Sequence, residues 1–174
     1  MHYHQDKKLP DYRAANLLDD GFYAPQPGLI SALDAALELR MPLLLTGEPG
    51  TGKTRFAKYV AEHFDLGAPL VFNAKTTSTA TDLFYRYDAL RHFHLINNLK
   101  QDPPDLVAAG IIRYAALGQA IVRARDEAQR SVVLIDEIDK TSRDFPNDLL
   151  DLLDGDFRFE LPELQREALV APPA

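Results

Sequence analysis

The sequence predicts an α/β fold in which an open parallel sheet lies between layers of helices. Two kinds of observation carry that prediction. Leu43-Leu44-Leu45, Leu70-Val71-Phe72 and Val132-Val133-Leu134-Ile135 are unbroken apolar runs of strand length without alternation, as expected of strands buried on both faces. Between and around them, apolar residues recur at helical spacing, so the order reads strand, helix, strand, helix, strand, helix. Right-handed crossovers between such strands give a parallel sheet covered by helices.

Residues 1–27 are polar and broken by Pro10, Pro25 and Pro27, which reads as an arm carrying one short helix near Tyr12 to Leu18. Leu29, Ile30, Leu33, Ala36 and Leu37 then mark a helix. Met41 to Thr46 is the first strand, bounded by Pro42 and Gly47. Phe56, Ala57, Val60, Ala61 and Phe64 share a helical face, and Gly67 and Pro69 stop that helix. The second strand ends at Asn73, and Lys75 to Thr81 is a Thr/Ser-rich loop. Asp82 to Leu99 reads as one helix, broken by Pro103-Pro104, and Leu117, Ala120, Ile121 and Ala124 mark another. The third strand closes on Asp136-Glu137, and a Leu149 to Leu153 helix follows, closed by Gly155. Phe157, Phe159 and Leu161 alternate with Arg158 and Glu160, which is strand patterning.

Bulk properties narrow the function classes. The chain has 174 residues, enough for one domain, and carries a net charge of −7. It has no cysteine, which rules out a disulfide scaffold or a thiolate metal site in this sequence. An acidic chain without a basic stripe is poorly suited to gripping a nucleic-acid backbone, so no direct nucleic-acid contact is expected. No apolar stretch is long enough to cross a membrane, and the N-terminus lacks a secretory pattern, so a cytoplasmic protein is expected.

The chemistry begins at Gly47-Glu48-Pro49-Gly50-Thr51-Gly52-Lys53-Thr54, which fits G-x-x-x-x-G-K-[ST] at every specified position. The glycines let the backbone turn with positive φ and bring amide groups onto phosphate oxygens. The helix that follows offers its N-terminal N–H groups and positive dipole end to the same anion. Lys53 supplies a point charge for the β- and γ-phosphates, and the Thr54 hydroxyl is a hard oxygen ligand for magnesium. A glycine-rich turn with an incidental lysine is the competing reading. The strand before the loop and the amphipathic helix after it weigh against that.

Asp136 and Glu137 at the end of an apolar strand form the second half of the predicted site. Asp136 is placed to hold magnesium through water, and Glu137 to polarise an attacking water. Phosphoryl transfer needs mainly positioning and charge stabilisation. A helix-capping role for the two acids is the plainer alternative. The chain has no Asn-Lys-x-Asp guanine-reading stretch, and the water-orienting glutamate points to ATP hydrolysis.

With these motifs in hand, the chain resembles the AAA+ ATPases, and within them the MoxR-like branch. The matching text is Leu43-Leu44-Leu45-Thr46 running into the loop at 47–54, and Val133-Leu134-Ile135-Asp136-Glu137-Ile138-Asp139-Lys140. Phe72-Asn73-Ala74-Lys75 and Tyr85-Arg86-Tyr87 also look MoxR-like. The resemblance implies a three-layer αβα P-loop NTPase fold, ATP and Mg2+ as cofactors, a homo-oligomeric ring, and a partner protein acted upon. It implies that Asn73, ending the second strand, holds the catalytic Glu137 idle until a partner engages. It also puts adenine recognition near Gly21-Phe22-Tyr23, with Tyr23 as the candidate, although an aromatic there could equally pack the arm onto the domain.

The family's sheet runs in the order 5-1-4-3-2, and its fourth strand carries a polar sensor. Neither that strand, the fifth strand, the sensor, the arginine finger nor the helical lid can be read before Ala174. The expectation is therefore an arm at 1–27 and a partial ATPase domain at 28–174, incomplete at the C-terminus. That chain is expected to fold poorly alone and to turn over ATP weakly or not at all. His92 and His94 lie two apart, off a common helical face, and read as packed or solvated rather than metal-binding. Arg123, Arg125 and Arg130 read as solvated helix-face charges. Two further functions compete with a remodelling ATPase: a nucleotide-gated regulatory switch with little turnover, and a motor subunit of a restriction-type nucleic-acid complex.

Overall fold

A computed structural model describes residues 23–100, 102–153, 158–159, 161 and 169–170. The arm and its short helix near 12–18 fall outside these, apart from 23–27. The backbone divides into two compact units at Tyr59–Val60, inside a helix, and each is described by itself.

The first unit holds α1 (Pro27–Leu39) and the first turns of α2 (Lys53–His63). Pro27 suits the first turn of α1, where its missing N–H costs nothing. Leu33 is the buried residue of α1. The helix ends with Arg40 in the left-handed region (φ 53°), and the amides of Arg40 and Met41 donate to Leu37 O and Ala36 O, closing the last turn. Met41 to Thr46 then runs on without strand pairing, which corrects the strand expected at Leu43-Leu44-Leu45. Leu44 is 70% exposed. An apolar run becomes a strand through backbone bonds to a neighbour, and no described residue supplies one beside it.

The second unit is built on a parallel pair, β1 (Leu70–Asn73) and β4 (Val133–Asp136), in the register Leu70↔Val133 to Asn73↔Asp136. α4 (Ala116–Asp126) packs on both strands, with Ala116, Gly118 and Ile121 buried. Between β1 and α4 the chain forms a small module. It comprises a 3-10 turn (Ala80–Leu83), β2 (Tyr85–Tyr87), α3 (Ala89–Leu99) and β3 (Ile112–Tyr114), with β2 and β3 antiparallel. α5 (Phe145–Leu153) packs on the 3-10 turn, and β5 (Arg158–Phe159) pairs antiparallel with β6 (Leu169–Val170). The core gathers Phe72, Leu83, Phe84, Ile111, Ile112 and Phe145 with their neighbours. Burying side chains of this size stabilises by roughly 1.5–3 kcal/mol each.

The single helix expected over Asp82–Leu99 is corrected to three elements. Thr79 ends the loop, its N–H and hydroxyl both donating to Asp82 Oδ2 (2.8 and 2.9 Å), so a tight turn starts there. Tyr85 and Tyr87 then pair with Tyr114 and Ile112, a pleated arrangement that aromatic and β-branched residues favour. Asp88 restarts the chain as a helix by accepting from the Arg91 amide at 2.9 Å. The strand patterning expected over 157–161 meets a strand at Arg158–Phe159, whereas its antiparallel partner β6 gives no clear pattern in the sequence.

One close approach fixes α4 against this module. Phe84 O accepts from the Ala115 amide at 2.8 Å, and Gly118 sits directly over the same carbonyl. A Cβ at position 118 would lie 1.9 Å from Phe84 O. Glycine is required here for space, not for backbone freedom.

Candidate nucleotide-binding site

In the first unit the loop at 47–54 has the backbone its residue types predict. Gly50 and Gly52 adopt φ of 83° and 89°, a region costly for residues with a Cβ. The amide of Phe56 donates to Gly52 O at 2.9 Å, so helical bonding begins at the end of the loop and α2 opens at Lys53. The positive end of the helix dipole is thereby presented where the loop turns. Lys53 Nζ donates to Gly47 O (2.7 Å) and Glu48 O (2.9 Å), which folds the lysine over its own loop. Thr51 Oγ1 adds a bond to Glu48 O at 2.9 Å. The structure thus brings Gly47, Glu48, Thr51 and Lys53 into one hydrogen-bonded turn. Pro49 and Gly50 form its tip, and Thr54 lies in the first turn of α2.

Tyr23 belongs to this same unit. Its ring packs edge-on to Tyr59 (5.9 Å between centroids) and tilted to Phe56 (6.4 Å). It also covers Gly52 so closely that a Cβ there would meet Tyr23 Cε2 at 2.7 Å. Burial raises the pKa of the Tyr23 phenol above its usual value. The aromatic expected near adenine is therefore an aromatic laid on the phosphate loop.

In the second unit, β1 and β4 bring three predicted residues to one end of the parallel pair. Asn73 stands opposite Asp136 in register, and the next amide, that of Ala74, donates to Asp136 O at 2.9 Å. Glu137 follows immediately and leaves the strand in the left-handed region, φ 60° and ψ 35°. Its amide donates to Asp136 Oδ1 at 3.0 Å. A bulky residue in that region is uncommon and re-aims the side chain away from the strand direction. Glu137 Oε1 pairs with Lys140 Nζ at 2.6 Å across one short 3-10 turn (Ile138–Lys140), and that hydrogen bond raises the lysine pKa. The sequence reading assigned Lys140 no role. The signal was there in the three-residue spacing from Glu137, which places the two side chains over one turn.

His92 uses both ring nitrogens: Nδ1 bonds the Tyr87 hydroxyl at 2.7 Å and Nε2 bonds Asp102 Oδ1 at 2.8 Å. Arg125 forms a forked pair with Asp126 at 2.6 and 2.9 Å. Among the described residues, no group of three or more His, Asp or Glu side chains gathers as an all-protein metal cage. No described helix is long and apolar enough to cross a membrane.

A glycine-turned phosphate loop opening a helix, and a parallel pair ending in Asp-Glu, define a nucleotide-binding protein of the P-loop NTPase fold. The chain belongs to the AAA domain family, dynein-related subfamily, whose family model matches residues 42–174. Over 50 residues it is 42% identical to Protein CbbQ of Allochromatium vinosum, a stretch covering 29% of this chain and 65% of that protein. Over 71 residues it is 39% identical to Protein NorQ of Paracoccus denitrificans (strain Pd 1222), covering 40% of this chain and 26% of that protein. The matched stretches thus span less than two thirds of either relative. These similarities agree with the MoxR-like AAA+ resemblance drawn from residues 43–54 and 133–140.

Proposed function

We propose that this protein binds ATP with magnesium and hydrolyses it, in the MoxR-like manner, to remodel or activate a partner protein from within a homo-oligomeric ring, with no direct nucleic-acid contact. The observation that carries the reading is the loop geometry at 47–54, in which glycine turns and a helix start converge on Lys53. The loop amides and Lys53 take the β- and γ-phosphates, Lys53 exchanging two neutral carbonyl acceptors for charged phosphate oxygens, a stronger class of hydrogen bond. Thr54 supplies a hydroxyl and Asp136 a carboxylate toward magnesium, and the metal supplies charge neutralisation on the phosphates. Glu137 orients the attacking water. Asn73 holds Glu137 idle until a partner engages, a role supported by its strand-end register with Asp136, the residue before Glu137. Tyr23, lying on Gly52, closes one side of the phosphate loop and stacks at the base.

A second reading, a nucleotide-gated switch with little turnover, draws on the 2.6 Å pair between Glu137 and Lys140. A glutamate engaged by a lysine is not available to polarise water. The two readings separate on Glu137→Gln. If Glu137 orients the water, this variant keeps ATP affinity within about threefold and loses about 100-fold or more of the turnover, in line with general base contributions. Unchanged phosphate release by the variant would remove Glu137 from the chemistry.

A further inference from the structure

We infer that Phe56 and Tyr59 form a seat that fixes Tyr23 against the phosphate loop, and that Tyr59 is a positioning residue for the base of the nucleotide, acting through Tyr23. This role rests on the proposed place of Tyr23 at the base and deepens it. Gly52, Phe56 and Tyr59 recur at i, i+4 and i+7, so they fall in one line along a helix. The Phe56 amide donates to Gly52 O at 2.9 Å, which carries that line from the loop into α2 without a break. Ala57, Val60 and Ala61 are buried on the neighbouring stripe of the helix, whereas Tyr59 is half-buried. Tyr59 thus stands to one side of the residues that anchor α2.

On this line three rings close a triangle. Tyr59 stacks on Phe56, with 6.3 Å between centroids and 13° between planes. Tyr23 meets Tyr59 edge-on at 5.9 Å and 60°, and meets Phe56 tilted at 6.4 Å and 56°. Aromatic rings attract in such offset and edge-to-face arrangements at separations of about 4.5–7 Å. One edge of the Tyr23 ring then lies over Gly52, where a Cβ would meet Cε2 at 2.7 Å and Cδ2 and Cζ at 3.6 Å. Glycine at 52 is needed twice, for its φ of 89° and for the room this ring takes.

The consequence is preorganisation. Lys53 and Thr54 open the helix that also carries Phe56 and Tyr59, so one rigid element sets both the phosphate ligands and the aromatic beside them. Tyr23 comes from the chain before α1, and a side chain on such a segment that is ordered only when ligand arrives weakens binding. Two ring contacts made in advance remove that penalty. The phosphate loop does not need them: its turn is closed by bonds of its own, from Lys53 to Gly47 O and Glu48 O and from Thr51 to Glu48 O. The seat therefore contributes to affinity for a nucleotide and not to affinity for a bare triphosphate.

Calorimetric titration of the full 174-residue chain with ATP and with inorganic tripolyphosphate, both with magnesium, tests this. Tyr59→Ala and Tyr59→Leu should each weaken ATP by about five- to tenfold and leave tripolyphosphate within about twofold, while Tyr59→Phe, which keeps the ring, matches the parent. Tyr23→Ala should show the same selective loss. The double variant Tyr23→Ala/Tyr59→Ala should lose no more than either single one, because residues acting as a unit are not additive. Partial unfolding lowers both ligands together, so the ratio of the two affinities reports the seat and not the stability of the chain. Equal weakening of ATP and tripolyphosphate by Tyr59→Ala, no weakening of either, or additive losses in the double variant would overturn the seat and leave Tyr23 at the base. A Tyr23→Ala chain with full ATP affinity would remove Tyr23 from the base, and the seat with it.

Discussion

Glu137 is where sequence chemistry and backbone geometry meet most sharply. Its φ of 60° costs a residue with a side chain on the order of 1–3 kcal/mol, an outlay found mostly at functional positions. The Asp-Glu pair was legible because four apolar residues, Val132 to Ile135, run directly into it. The left-handed turn and the Lys140 partner were not, since both depend on how the chain leaves β4. Lys140 gives the residue-scale prediction. Removing its ammonium with Lys140→Ala releases the Glu137 carboxylate, so steady-state phosphate release should rise severalfold under the proposed roles. A rate equal to or below the parent's would show that the 2.6 Å pair does not restrain the glutamate. Both side chains are about half exposed, so the pair itself contributes little to folding.

At the scale of elements, local pattern succeeded where an element's partners are implied by its own sequence. α1, α2, α4, α5, β1 and β4 follow directly from apolar spacing. Two readings failed for the same reason, which is that strand formation is decided by a distant neighbour. Tyr85–Tyr87 is a strand because Ile112–Tyr114 returns beside it, and within residues 82–99 nothing announces that return. Leu43–Leu45 is apolar enough for a buried strand yet runs unpaired among the described residues. Gly118 was invisible for another reason: a glycine inside a helix reads as a propensity loss of about 1 kcal/mol, whereas here it makes room for Phe84 O. The consequence is measurable. Gly118→Ala would raise helix propensity but drive a Cβ into a backbone carbonyl that cannot swing away. Overpacking of this kind costs about 3 kcal/mol, so thermal unfolding should fall by about 6–12 °C. A variant as stable as the parent would mean that α4 does not lie this close to the 3-10 turn.

Across the whole molecule, an acidic chain carries one conventional phosphate loop and one Asp-Glu strand end. The loop was the most legible part of the candidate site, because each of its specified residues answers a local physical demand: glycine for positive φ, lysine for charge, threonine for a hard oxygen. Asn73 was legible through its place at a strand end, and the structure adds its register with Asp136. Tyr23 was named for the base, and its close packing over Gly52 is a contact that sequence spacing does not encode. All functional assignments made for the chain depend on nucleotide entering the 47–54 loop. Titration of a fluorescent ATP analogue in the presence of magnesium tests this most directly, comparing the parent chain with Lys53→Ala. Saturable binding by the parent, weakened by about 100-fold or lost in the variant as expected for removing a charged phosphate contact, is the predicted result. Equal affinity in both chains, or no binding by a folded parent, would contradict it.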